Sequence, residues 1–257
     1  MSSSRLNQIA GHLNYPKGLL AGQGIGAECA RLFANEGAKV VISGNDGVKA
    51  SDAAGKIKAG GGEALAVAGD LLNDEYIKEM VKKSANFGGG KIHIIVNNAG
   101  FTWDAVIHKM TDKQWDTIVA LHGTAPFKLI REAVPYFRVK DGEPRNIASI
   151  SSTSGLHSNA GQLNYAMAKA GVVGLTKTIA KEWESAFGVR ANTIAFGHIE
   201  TQLTANKDDG PLSRSTDIPL RRPGSATEAA SAILAIASPL SSYITGQTIS
   251  VTGGRNM

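Results

Sequence analysis

The sequence predicts an α/β fold, a doubly wound and mostly parallel sheet in a single domain. Two observations carry this. Short apolar runs, the pattern of buried parallel strands, alternate with longer helical stretches along most of the chain. No Pro/Gly/Ser-rich linker and no internal repeat divides the 257 residues, a length that suits one large domain.

Taken in order, residues 1–16 read as a polar leader, and the folded domain is expected to span 17–257. Glycines 22, 24 and 26 form a turn that opens a helix over 27–36, stopped by Gly37. A strand over 39–43 and a helix over 50–59 follow. Next come a strand at 64–68, a helix over 74–86 and a strand at 92–96. Thr111 and Gln114 have the spacing of a capping box before Trp115 and Ile118. A long helix over 125–137, a strand at 147–150, a helix over 164–187 and a strand at 189–194 continue the alternation. A helix over 226–237, capped by Thr227, and a strand at 247–251 close it.

Composition narrows the function classes. The net charge is +5, but the basic residues are scattered rather than gathered into arms or stripes, so no nucleic acid is expected as a partner. No apolar run reaches the roughly 18 residues that span a bilayer, and residues 1–10 lack a signal-peptide core. Cys29 is the single cysteine, so no intrachain disulfide and no CxxC metal site is possible. No metal ligand set is assigned. A reducing, cytoplasmic setting is the expectation.

The chemistry centres on Tyr165-Ala166-Met167-Ala168-Lys169. A tyrosine and a lysine four apart share a helix face, and an ammonium near a phenol favours the phenolate, making it a proton donor and acceptor near neutral pH. In an open α/β sheet, ligands bind beyond the carboxyl ends of the strands. The glycine turn, Ser43 to Asp46, Asp70-Leu71, Asn97-Asn98-Ala99-Gly100, the serines at 149 to 154 and Ile199 to Thr201 all follow strands. They are expected to share one edge. Glycines 22, 24 and 26 at a helix start would let a pyrophosphate approach backbone N–H groups.

With these residues in place, the chain resembles the short-chain dehydrogenase/reductase family from about Gly22 to Gly254. The resemblance rests on Gly24-Ile25-Gly26, Asp70, Asn97-Asn98-Ala99-Gly100, Ser152 thirteen positions before Tyr165, Lys169, Ile199-Glu200-Thr201 and Val251-Thr252-Gly253-Gly254. It is similar to the 3-oxoacyl-carrier-protein-reductase-like members. The resemblance implies a Rossmann-like domain and an NAD(P)-dependent oxidoreductase moving hydride between a nicotinamide and a ketone or secondary alcohol. It implies Tyr165 as the general acid or base, Lys169 lowering its pKa and holding the ribose, and Ser152 polarising the substrate carbonyl. It places Gly22, Gln23, Gly24, Ile25 and Gly26 around the phosphates with Thr201. Asp70 and Leu71 fall at the adenine, Asn98, Ala99 and Gly100 on the adenosine side, and Ile199 at the nicotinamide carboxamide. A small-molecule carbonyl substrate, such as a 3-oxoacyl thioester or related carbonyl, and a homo-oligomer, dimer or tetramer, follow from the same resemblance.

The chain departs from the family in three places. His122 stands where an asparagine is usual, and it too can hold a relay water. Phe196-Gly197 replaces a Pro-Gly. Leu19-Leu20 stand where the family has Thr-Gly, and Pro16 makes residues 12–17 a poor central strand. The first strand is therefore expected to be irregular or truncated, with on the order of 5–10 residues missing, or else residues 17–21 serve as a short strand. Damage there would favour a different class, a catalytically silent binding or scaffold protein. At the end of the second strand, Ser43-Gly44-Asn45 lacks the acid that bonds a ribose 2′-hydroxyl, which points to NADP, with NAD the alternative. The segment 202–219 is expected to cover the substrate, with Trp103, His108 and His157 bordering it.

Overall fold

The computed structural model describes residues 17–21 (backbone only), 24–201 and 217–256. The leader, Gly22, Gln23 and most of the expected substrate cover, 202–216, lie outside the described residues. In chain order the elements are β1 (Lys17–Ala21), α1 (Ile25–Asn35), β2 (Lys39–Gly44), α2 (Gly47–Ala59), β3 (Ala64–Ala68), α3 (Asp74–Phe87) and β4 (Ile94–Asn97). Then come α4 (Asp112–Val119), α5 (Ala125–Phe137), β5 (Arg145–Ser152), α6 (Thr153–His157), α7 (Leu163–Phe187), β6 (Val189–Phe196), α8 (Ala226–Ala237) and β7 (Thr248–Val251). The seven strands form one sheet in the order β3-β2-β1-β4-β5-β6-β7, every pairing parallel.

The strand residues alternate between two cores, as a period of two dictates. Val40, Ile42, Ile94, Val96 and Ile194 pack with Cys29, Phe33, Ile57 and Ile233 from α1, α2 and α8. Val41, Ile95, Ile147 and Ala191 pack on the other face with Met80, Leu129, Phe137 and Trp183 from α3, α5 and α7. Both faces are covered, which is why the strands read as apolar runs.

The first strand is present but short. Lys17–Ala21 pairs with β2 at five positions and with β4 at only two, Gly18 with Ile94 and Leu19 with Ile95. Leu19 and Leu20 are thus ladder residues, and the two strands flanking β1 stay in one sheet.

Caps fix most helix starts. Asp46 accepts the Lys49 N–H ahead of α2, and Asn73 accepts from Glu75 and Tyr76 ahead of α3. The Thr111–Gln114 capping box is present. The cap of α8 is Ser225, not Thr227: Ser225 has extended backbone and its Oγ accepts the Glu228 N–H, while the Thr227 hydroxyl donates 2.7 Å to Glu28 across to α1. β4 starts at Ile94 rather than 92 because the Ile92 N–H bonds Tyr136 O at the end of α5. No helix among the described residues is long and apolar enough to cross a membrane.

Arg190 terminates α8 from the side of β6. Its buried guanidinium donates to the carbonyls of Ile236, Ala237 and Ser238, which the helix end leaves without partners, and to Ile244 O in the following loop, all at 3.0–3.2 Å. Arg190→Ala strips all four at once. The expected loss is at least about 3 kcal/mol, seen as a lower urea midpoint at unchanged slope.

Candidate active site

The order of the sheet reverses between β1 and β4, and a crevice opens there beyond the strand ends. On its β1 side, Gly24 adopts φ 53°, a left-handed conformation that favours glycine, immediately before α1. A Cβ built on Gly24 lies 3.6 Å from the Thr201 methyl. The glycine turn and Thr201, 177 positions apart in sequence, are therefore neighbours. Gly26 is buried and Ile25 half-buried. Ile199 is buried, flanked by bonds from Glu200 N–H to Gly224 O and from Gly224 N–H to His198 O.

A cleft lined by Ser43, Leu71, Asn97, Asn98, Ala99 and Leu121 continues the crevice. Asp70, exposed, forms a turn by accepting the Leu72 N–H at 2.9 Å; it does not cap α3, a task left to Asn73. Ser43 donates to the Tyr76 hydroxyl, which itself donates to Val67 O at 2.6 Å. Asn45 is exposed. Asp46 is engaged in capping α2 and pairing with Lys49 at 3.2 Å.

The candidate catalytic group stands at the end of β5 and the start of α7. β5 runs through to Ser152, whose hydroxyl accepts the Ser154 N–H at 3.1 Å and caps α6. Tyr165 lies one turn into α7 and is hydrogen-bonded by Ser152. Burial holds the Tyr165 phenol up at about 12; the Ser152 bond offsets part of this, and the charge of Asp104 adds to it. Lys169 is buried, its ammonium donating to Ile150 O at 2.7 Å and standing 5.6 Å from the Tyr165 ring centroid. Burial pushes Lys169 down to about 7. The expected lowering of the tyrosine by the lysine thus gives way here to desolvation, which acts on both groups.

His122 joins them from a π-helical turn, Ala120–Thr124, that turns the ring inward between α4 and α5. Its Nε2 donates to Phe101 O at 2.8 Å, and its ring meets Tyr165 edge-on, centroids 5.1 Å apart. Burial, then the charge of Lys169, lower it to about 3, so the imidazole is neutral. Among the described residues its buried Nδ1 has no hydrogen-bond partner. The ring fills the space above Gly100: a Cβ there would lie 2.0 Å from His122 Cε1.

Glycine also sets the distance between β5–α6 and α7. A Cβ on Gly155 would stand 2.8 Å from the backbone carbon and Cβ of Lys169. Gly155→Ala is expected to destabilise the fold by about 1–3 kcal/mol and to push Ser152 away from Tyr165, measurable as a lower urea midpoint with a disproportionate fall in kcat.

Sequence reasoning missed Asn164. Fully buried, it donates to the carbonyls of Trp103 and Gln114 and accepts the Tyr165 N–H at 2.8 Å, fastening the first turn of α7 to α4 and to the loop before it. A polar residue beside Tyr165 at a helix start was its only signal. Trp103, next to this clamp, His108 and His157 are all exposed.

The family model described as Enoyl-(Acyl carrier protein) reductase matches residues 18–256. The chain is 39% identical over 239 residues to a 3-oxoacyl-[acyl-carrier-protein] reductase of Synechocystis sp., covering 92% of this chain and 94% of that protein. It is 39% identical over 241 residues to 3-oxoacyl-[acyl-carrier-protein] reductase FabG of Vibrio cholerae, covering 92% and 95%. A dehydrogenase/reductase from Sinorhizobium meliloti superposes with TM-score 0.89 at 26% identity, covering 98% of this chain and all of that one. A short chain dehydrogenase from Bacillus anthracis gives 0.87 at 28% identity, covering 96% and 98%. With sheet order, crevice and sequence in agreement, the chain belongs to the short-chain dehydrogenase/reductase family, whose members are oxidoreductases.

Proposed function

We propose that this protein is an NADP-dependent reductase of a small carbonyl substrate, with a 3-oxoacyl thioester as the best candidate. The observation that carries it is the cluster of Ser152, Tyr165, Lys169 and His122 on the far side of a crevice from the Gly24 turn. The substrate class comes from the names of the relatives. The residues present fit a dinucleotide. Gly24 and Gly26 would admit the pyrophosphate to the start of α1 beside Thr201, and Leu71, Asn98 and Ala99 would border the adenosine. The absence of an uncommitted acid after β2, Asp46 being engaged, favours a 2′-phosphate over a 2′-hydroxyl. Bound, the nicotinamide would supply the hydride.

The protein supplies the proton. Ser152 would donate to the substrate oxygen, and Tyr165 Oη would deliver its proton as that oxygen gains charge. Lys169, able to lose a proton near neutral pH, would restore it from Nζ. The bare Nδ1 of neutral His122 would hold the water that refills the lysine. The same reading makes the protein a cytoplasmic homo-oligomer, a dimer or tetramer; exposed Phe127 and Met167 lie on the long helices that could pack together.

The test is titration with NADPH and with NADH, followed by nucleotide fluorescence and thermal shift, and then reduction of a 3-oxoacyl thioester. Tighter NADPH binding and NADPH-dependent turnover are expected. Catalysis at least as efficient with NADH overturns the cofactor preference. No binding of either nucleotide by a cooperatively melting protein selects the silent binding protein instead, its β1–β4 pairing too short to hold the turn.

A further inference from the structure

Four contacts bind the loop 101–105 to the catalytic elements. Phe101 O accepts from His122, Trp103 O from Asn164, and Asp104 Oδ2 from Gln162 at 3.0 Å, while the Ala105 N–H donates to Gly161 O at 2.8 Å. The Gln162 contact belongs to a chain of bonds whose direction is set at one end. A carboxylate only accepts, so Gln162 must present its Nε2 donors to Asp104. Its Oε1 then faces Ser154 and Asn159, accepting from Ser154 Oγ at 2.9 Å and from Asn159 Nδ2 at 3.2 Å. Asn159 Nδ2 also donates to Ser154 Oγ at 2.7 Å, so the Ser154 proton has one direction left, toward Gln162. Gln162 and Ser154 are both buried, and a buried amide released from such a network would lose its bonds without gaining water.

Ser154 is where this chain of bonds meets the reaction. Its backbone N–H occupies an acceptor position of Ser152 Oγ, which leaves the Ser152 proton to point away, toward Tyr165 and the crevice. The geometry points to Gln162 as a positioning residue: with Asp104 and Ser154 it fixes the direction of the Ser152 hydroxyl, and through it the proton of Tyr165. Gln162 touches neither substrate nor cofactor in this account. It acts by holding the first turn of α6, and an error of about 1 Å at a reacting group is enough to lower a rate by about 10²-fold.

The proposal rests on the oxidoreductase reading only for its kinetic readout. The experiment compares wild type, Gln162→Leu, Ser154→Ala and the double variant. The rate of ketone reduction is measured beside NADPH affinity, and the Tyr165 phenol is titrated by NMR of tyrosine labelled at Cζ, its resonance assigned with Tyr165→Phe. The groups facing that phenol are Ser152, His122, Lys169 and the charge of Asp104, and Gln162→Leu keeps all four. Expected are a fall in kcat of at least about tenfold with NADPH affinity retained, and a Tyr165 titration moved upward as the Ser152 bond weakens. The double variant should lose no more than Gln162→Leu alone, since both act through one path. A lowered melting temperature with kcat and the Tyr165 titration both unmoved overturns the proposal and leaves the network a structural one. If wild type reduces no ketone, the functional reading fails and the Tyr165 titration alone decides the role of Gln162. If Gln162→Leu does not fold, Ser154→Ala carries both readouts.

Discussion

Tyr165→Phe is expected to lower kcat for carbonyl reduction by about 10²–10⁴-fold while leaving the fold and nucleotide binding in place. The substitution removes one oxygen and keeps the ring. The ring is what His122 meets edge-on and what the Lys169 ammonium faces, and the main bond of Lys169, to Ile150 O, does not involve the phenol. The Tyr165 N–H remains bonded to Asn164. Among the described residues only Ser152 loses a partner, and its oxygen still accepts from Ser154. The lost hydroxyl, by contrast, is the group that on the proposed reading hands a proton to the substrate oxygen. Single-turnover rates with saturating NADPH, together with thermal melts, separate the two effects. Turnover within about tenfold of wild type would mean that another group donates the proton.

Where burial forces a pattern on the chain, the fold was legible. β3 at Ala64–Ala68 and α5 at Ala125–Phe137 match the reading to the residue, because both lie in apolar stretches bounded by glycine or polar residues. β5 was read too short. Residues outside the reading at its two ends, Arg145, Asn146 and Ser151, are polar and yet buried, and polar residues do not announce a buried strand. Arg145 is inside because Asp141 receives its guanidinium through two bonds at 2.7 and 2.8 Å. At β1, Pro16 and the missing Thr-Gly pattern pointed to a truncated strand or to a short one over residues 17–21, and the short one, Lys17–Ala21, is what forms. The short turns of α6 and the π-helical turn at Ala120–Thr124 have no periodicity of their own and left no trace.

The site divided in the same way. Ser152, Tyr165, Lys169 and His122 could be grouped as candidates because helical spacing and motif order tie them together in sequence, and the structure brings them close. Asp104 and Gln162 are 58 positions apart, and nothing local says that a carboxylate in an exposed loop will orient a buried amide beside Tyr165. The environment of Lys169 was equally out of reach. Spacing says that it shares a helix face with Tyr165; only packing says that both are dry enough to be driven toward their neutral forms.

His122 gives the second large effect, on stability rather than rate. A histidine held at about 3 in the fold, against 6.5 for the free side chain, is neutral in the native protein and charged in the unfolded chain throughout the interval between. There the unfolded state binds more protons, so stability rises with pH. The contribution is fully present above about pH 6.5 and drains away as the pH falls toward 3. The full interval corresponds to about 4–5 kcal/mol. His122→Asn removes the titrating group and keeps a polar side chain at the position. Asp141, Glu143 and Glu228 also hold lowered values and weaken the fold in acid, but they titrate below the ordinary carboxylate range and are common to both proteins. The difference between wild type and variant between pH 6.5 and 4.5 therefore belongs to His122. Urea midpoints across that window should fall steeply for wild type and much less for His122→Asn. Parallel slopes would show that the imidazole is already protonated or solvated in the native state. That would remove the acceptor at Nδ1, since a protonated ring donates at both nitrogens, and with it the role proposed for His122 as a neutral acceptor.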